Sequence, residues 1–227
     1  MTDKEVWIVA LAYGSDGCSS TLPSCTGTSF YIAEIGWGVA SGSAPCGGGA
    51  CNSGLGTTVG SSHTFTYWWV GGPKVSGATN ASQAYTWGQE QGNNYWLAWN
   101  NGPQRNILFL DIENGTTCAN ADGWYVSGNS AQTTLNREVL LGAINALQAR
   151  GGVKIGVYSS NYEWGSIMGS YSTPSGVAYT WVANSTGAVC PTSLAGGQFG
   201  GTTPGIWQYD DTSSYDYDVA DTTIFPA

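Results

Sequence analysis

The segment Asn106-Ile107-Leu108-Phe109-Leu110-Asp111-Ile112-Glu113-Asn114-Gly115 constrains the chain more than any other. Its apolar residues run without alternation, the pattern of a strand buried on both faces in a parallel sheet. It then ends in two carboxylates one residue apart and an Asn-Gly turn. Side chains at i and i+2 of a strand leave on the same side, so Asp111 and Glu113 are expected to point together from its C-terminal end. Parallel α/β barrels carry their active sites at that end. Burying acids without a partner is costly. Two readings follow: general acid/base chemistry, or a structural pair satisfied by a helix N-terminus or by Arg105 or Arg137.

Around this segment the pattern predicts further strands at Val6–Tyr13, Phe30–Ile35, Thr64–Val70, Val153–Tyr158, Ala178–Val182, Gly205–Tyr209 and Tyr215–Val219. The second carries Glu34 near its end, and Asp16 follows the first in a Gly-rich turn. A short helix is predicted over 81–91, with Asn80 as its cap, and Tyr95–Trp99 reads as either helix end or strand. Leu135, Val139, Leu140, Ala143, Ile144 and Leu147 recur at helical spacing and predict a helix over 134–150. Strand, helix and strand in that order make a βαβ unit with a right-handed crossover. About eight strands with weak helices, no repeat and no linker predict an α/β fold: one irregular TIM-like (β/α) barrel spanning 1–227, with short or missing helices and long stapled loops.

Composition narrows the function. Six Lys and Arg against fifteen Asp and Glu leave a net charge of −9, and from Ile206 onward there are five Asp and no cation. Nucleic-acid backbones need clustered cations, so nucleic-acid partners are excluded. No apolar stretch is long enough for membrane insertion. With 11 Trp, 13 Tyr and few charges, the chain has the make-up of an extracellular sugar-handling protein. The six cysteines Cys18, Cys25, Cys46, Cys51, Cys118 and Cys190 form no C-x-x-C pair. Their even number, in Gly/Ser-rich loops, points to disulfides and a secreted or cell-surface location. Pairings 18–25, 46–51 and 118–190 are favoured among the fifteen combinations that six cysteines allow. One histidine, His63, and poorly spaced thiols argue against zinc, and no metal or cofactor is expected. The opening Met-Thr-Asp-Lys-Glu is no signal peptide, in tension with that location.

Several short motifs, in order, resemble the glycoside hydrolase family 25 superfamily of lysozyme-like muramidases. ILFLDIE is similar to that family's D-x-E strand end, and GVYSSNYEW to the strand and turn that follow. YTWVAN, GIWQYD and YDYDVA resemble its last three strands. The likeness runs from about Tyr95 to Ala220. AYGSDGCSS resembles the G-x-D-x-C opening of some relatives, and TFTYWW the third strand, without its usual histidine. The long cysteine loop over 41–62 is not a family feature.

The resemblance implies that Glu113 is a general acid and that Asp111 stabilises developing positive charge or orients an N-acetyl group. It also implies that Asp218 and Asp16 complete the acidic site, Asp216 lying two residues from Asp218 on the same face. The acidic tract from Asp210 to Asp221 reads equally as calcium ligands or plain solvation. Tyr67, Trp68, Tyr158, Trp181, Trp207 and Tyr209 lie near strand ends as candidate sugar platforms, with Gln208 as a hydrogen-bonding partner. Alternation sends about half of such residues into the packing instead. The function implied is cleavage of a polysaccharide such as peptidoglycan. The alternatives are a non-catalytic glycan-binding module on the same barrel and a surface-assembly protein.

Overall fold

The computed structural model describes residues 10–17, 19, 21–38, 55–100, 106–114, 122–202, 204–211 and 216–224. In chain order its elements are β1 (Leu11–Asp16), β2 (Thr28–Trp37), α1 (Leu55–Val59), β3 (Thr64–Trp69), α2 (Pro73–Ser76), α3 (Ala81–Trp99), β4 (Ile107–Asp111), α4 (Ser130–Gln148), β5 (Lys154–Ser160), α5 (Asn161–Met168), β6 (Val177–Ala183), β7 (Pro204–Asp211) and β8 (Asp216–Asp221). The eight strands close into a barrel in sequence order. β1 to β7 are parallel, whereas β8 is antiparallel to both β7 and β1. Residues 212–215 are too few for a crossover, so β8 returns as a hairpin partner of β7. The first residues of β8 therefore lie at the same end of the barrel as the last residues of the other strands.

The predicted irregular α/β barrel is the observed one, with shifts at its edges. β1 runs on to Asp16, which is thus a strand residue; positions 6–9 lie outside the described residues. α3 extends through Tyr95–Trp99, which resolves that segment as helix. α4 begins at Ser130, where Asn129 and Gln132 close both halves of a capping box.

Alternation sorts the strand residues into two cores. Leu108, Leu110 and Ile112 face outward and pack with Val139, Leu140, Ala143 and Leu147 of α4. Phe30, Phe65, Ile107, Phe109, Trp181 and Ile206 fill the barrel. Edge-to-face contacts link Phe30 to Phe65 (6.3 Å), Phe65 to Phe109 (6.4 Å) and Phe109 to Trp181 (5.7 Å). α3 and α4 approach each other through small residues: a Cβ at Gly88 would overlap the Val139 carbonyl, and one at Gly142 the Tyr85 carbonyl.

No helix is described between β6 and β7 or between β7 and β8, so the outer side of β7, β8 and β1 needs another cover. Loop residues supply it. Tyr13, Trp207, Tyr209 and Val219 pack beneath Cys25, Ala188, Cys190 and Leu194. Cys25 is bonded to Cys190, which corrects the expected 18–25 and 118–190 pairings. Nearness in sequence was misleading, because the β1–β2 and β6–β7 loops meet over this face. Cys18, Cys46, Cys51 and Cys118 lie outside the described residues.

Replacing Gly88 by Ala forces backbones apart along the α3–α4 seam. We expect a loss of about 1–3 kcal/mol, read as a lowered denaturation midpoint in urea; an unchanged midpoint would contradict the close packing.

Candidate active site

The inward parity that places Phe109 in the barrel brings Asp111 and then Glu113 to the barrel mouth. Outward-facing Ile112 between them is held by its N–H to the Tyr158 carbonyl (2.9 Å) and by Ser159 Oγ donating to its own carbonyl (2.7 Å). Asp111 is nearly inaccessible, at 3% exposure, whereas Glu113 is partly exposed. Asp16 from β1 and Asp218 from β8 are buried at the same end, at 4% and 0%.

Each strand contributes a polar or aromatic side chain here, and hydrogen bonds join them. Gln208 Nε2 donates to Asp16 Oδ2 (2.9 Å), and Tyr158 OH donates to Gln208 Oε1 (2.9 Å). Trp181 Nε1 donates to Asp218 Oδ1 (2.8 Å). Tyr67 OH reaches Glu34 Oε2 at 3.4 Å. Rings form the floor: Trp181 lies 4.3 Å from Tyr158, 5.8 Å from Tyr67 and 5.7 Å from Phe109, centroid to centroid. Asp111 Oδ1 and Asp218 Oδ2 are buried without a hydrogen-bond partner among the described residues.

This environment favours the protonated acids. Burial is the main cause throughout, followed by neighbouring negative charge. Burial pushes Glu113 up to about 8, with Asp122, Glu163, Asp211 and Asp216 adding repulsion. Asp111 is raised well above the carboxylate range by burial and then by Glu113, and Asp16 by burial and then by Asp218 and Asp216. Asp218 is raised by burial even though the Trp181 hydrogen bond favours its ionised form. Burial lifts Glu34 to about 7 against the lowering effect of Tyr67, and Asp216 also reaches about 7. The charges weighing most on Asp16, Asp111 and Glu113 are all negative. Arg137 is engaged elsewhere, donating to the Met168 carbonyl and lying over Tyr171; Arg105 lies outside the described residues.

Sequence reasoning anticipated Asp16, Asp111, Glu113, Tyr67, Tyr158, Trp181, Gln208 and Asp218, and the structure brings them together. Trp68, Trp207 and Tyr209 must be removed from the sugar platforms. Trp68 points outward and stacks on Tyr95 of α3 (5.5 Å), while Trp207 and Tyr209 lie beneath the disulfide-linked loops. All three have the outward parity of their strands. Two acids were missed as site members. Glu34 was detectable from its inward parity with Phe30 and Ile32. Glu163 was hidden in Ser160-Asn161-Tyr162-Glu163, a spacing that reads as an ordinary helix cap. Among the described residues, no three His, Cys, Asp or Glu side chains converge as a metal ion would require.

Taken together, closed order, reversed last strand and carboxyl-lined mouth define an irregular α/β barrel with the fold of the glycoside hydrolase family 25 lysozymes. A family 25 lysozyme from Aspergillus fumigatus aligns with a TM-score of 0.63 at 16% identity, covering 95% of this chain and 97% of that one. A bacterial lysozyme from Streptomyces coelicolor aligns at 0.60 and 18% identity, over 91% and 90% of the two chains. A muramidase from Trichobolus zukalii aligns at 0.59 and 17%, over 91% and 92%. No protein-family model matches the sequence, and no curated protein matches it significantly.

The raised carboxyls fix the sign of a stability profile. Glu34, Asp216 and Glu113 hold protons when folded that an unfolded chain releases near pH 4. The folded state therefore binds more protons between about pH 4 and 8, and stability falls as pH rises through that window. The melting temperature should be higher at pH 4.5 than at pH 8, and Glu34→Gln should flatten part of the slope. A melting temperature that climbs over the interval contradicts the assignment.

Proposed function

We propose that this chain is a single-domain glycoside hydrolase of lysozyme type, cleaving a β-linked amino-sugar polymer such as peptidoglycan. The observation that carries the reading is the meeting of Asp16, Asp111, Glu113 and Asp218, from β1, β4 and β8, at one end of a barrel with the family 25 lysozyme fold. Glu113 is the partly exposed member, and its raised proton affinity suits it to protonate a leaving glycosidic oxygen near neutral pH. Asp111, behind it and held protonated by burial, is the group assigned to orient an N-acetyl group, and it can stabilise positive charge developing at the sugar ring once its proton has left. Asp16 and Asp218 are held by Gln208 and Trp181, which fixes the mouth's shape before substrate arrives. Tyr67 and Tyr158, backed by the buried Trp181, supply aromatic surface for the sugar.

The Cys25–Cys190 disulfide supports a secreted or cell-surface location. Among the described residues, no helix is long and apolar enough to cross a membrane.

A second reading has one observation in its favour. Asp16, Asp111 and Asp218 are almost wholly buried, as suits a barrel that holds a glycan without cutting it.

Reducing-end release from peptidoglycan and chitin separates the two. The wild type should release ends, and Glu113→Gln should be slowed at least about 100-fold while still binding. Binding with no release by either form would establish the module, and neither activity would leave the surface-assembly reading.

A further inference from the structure

Tyr67 and Tyr158 show a sugar little of their surface, at 9% and 8% exposure, and Trp181 is covered. Two larger rings stand one layer above Tyr67, at the ends of β2 and β3. They are brought there by an extra residue in β2: Glu34 pairs with Tyr67, but Gly36, not Ile35, pairs with Trp68. Such a bulge re-aims the side chains that follow it. Ile35 packs outward against the helices, and strict alternation would send Trp37 the same way. The bulge instead sets Trp37 opposite Trp69, on the inward side shared by Glu34 and Tyr67. Gly36 is needed at this point, because a Cβ there would overlap the ring of Trp68. Two hydrogen bonds then clamp the strand ends together. Gly38 N–H donates to the Trp69 carbonyl (3.0 Å), and Trp68 Nε1 donates to the Gly38 carbonyl (2.9 Å). Trp37 and Trp69 are both partly exposed, and Trp69 is in register with Asp111 across its other edge.

From this geometry we infer that Trp37 and Trp69 form a binding shelf for a sugar ring of the glycan chain, beside the twin acids. An indole offers a broad, rigid apolar face with a polar N–H at its edge. That combination suits the C–H face and the hydroxyls of a neutral sugar. The clamp through Gly38 fixes the backbone next to Trp37 before a ligand arrives, so binding has little left to order there. The inference rests on the proposed glycosidase reading and specifies where the polymer is held while Glu113 acts on it.

N-acetylglucosamine oligomers carry no peptide, so binding to them reports on the glycan alone. In an NMR titration of the wild type with such oligomers, the indole N–H signals of Trp37 and Trp69 should shift saturably. Those of Trp96 and Trp99, in the last turn of α3 at the other end of the barrel, should stay in place. Trp37→Ala and Trp69→Ala should each weaken oligomer binding roughly tenfold, and Trp37→Phe should restore most of the loss. In the cleavage assay Trp37→Ala should raise KM by a similar factor and leave kcat little changed, because the shelf holds substrate and transition state alike. Oligomers that bind without moving either indole signal overturn the shelf and leave the glycosidase reading standing. So does cleavage with an unchanged KM in folded Trp37→Ala. A wild type that binds no oligomer overturns the shelf as well. Saturable shifts at both indoles in a protein that cleaves nothing would uphold the shelf and remove the proposed function instead.

Discussion

Mutual repulsion of carboxyl groups over an aromatic floor is the constraint on which the mouth of this barrel is built. Asp16, Asp111, Glu113 and Asp218 converge above Phe109 and Trp181, where water is scarce and the strongest nearby charges are negative. Ionising all of them together would be prohibitive, so burial and mutual repulsion favour their protonated forms. The hydrogen bonds of Gln208 and Trp181 hold two of these acids in fixed orientations. The remaining freedom belongs to Glu113, the acid that still meets solvent. A site of this kind has its proton donor prepared by its surroundings, before any ligand enters.

The barrel serves the site through strand parity. One alternation sends Leu108, Leu110 and Ile112 to the helices and Ile107, Phe109 and Asp111 inward. The hairpin return of β8 matters equally. Had this strand run parallel to the others, Asp216 and Asp218 would start it at the far end from Glu113. Reversal brings them to the mouth, and among the described residues no helix covers that flank of the barrel. The loops linked by Cys25 and Cys190 cover that flank, with Trp207 and Tyr209 beneath them.

Much of this was legible in the residues. The D-x-E strand end, the strand count and the α4 stripe follow from short-range periodicity, which side-chain geometry imposes wherever the chain goes. The platforms were only partly legible. Trp68 and Trp207 have the same chemistry as Trp181, and only the register of each strand separates outward from inward. Disulfide pairing was illegible, since Cys25 and Cys190 lie 165 residues apart and are brought together by closure of the barrel.

The crosslink has a further consequence for the molecule's integrity. It joins loops that flank β7, β8 and β1, and so it bridges the seam where the chain's first and last strands meet. A protease that nicks the backbone once anywhere between Cys25 and Cys190 would leave a single covalent molecule, its seam still clasped. Only with the thiols reduced would the two pieces be free to separate.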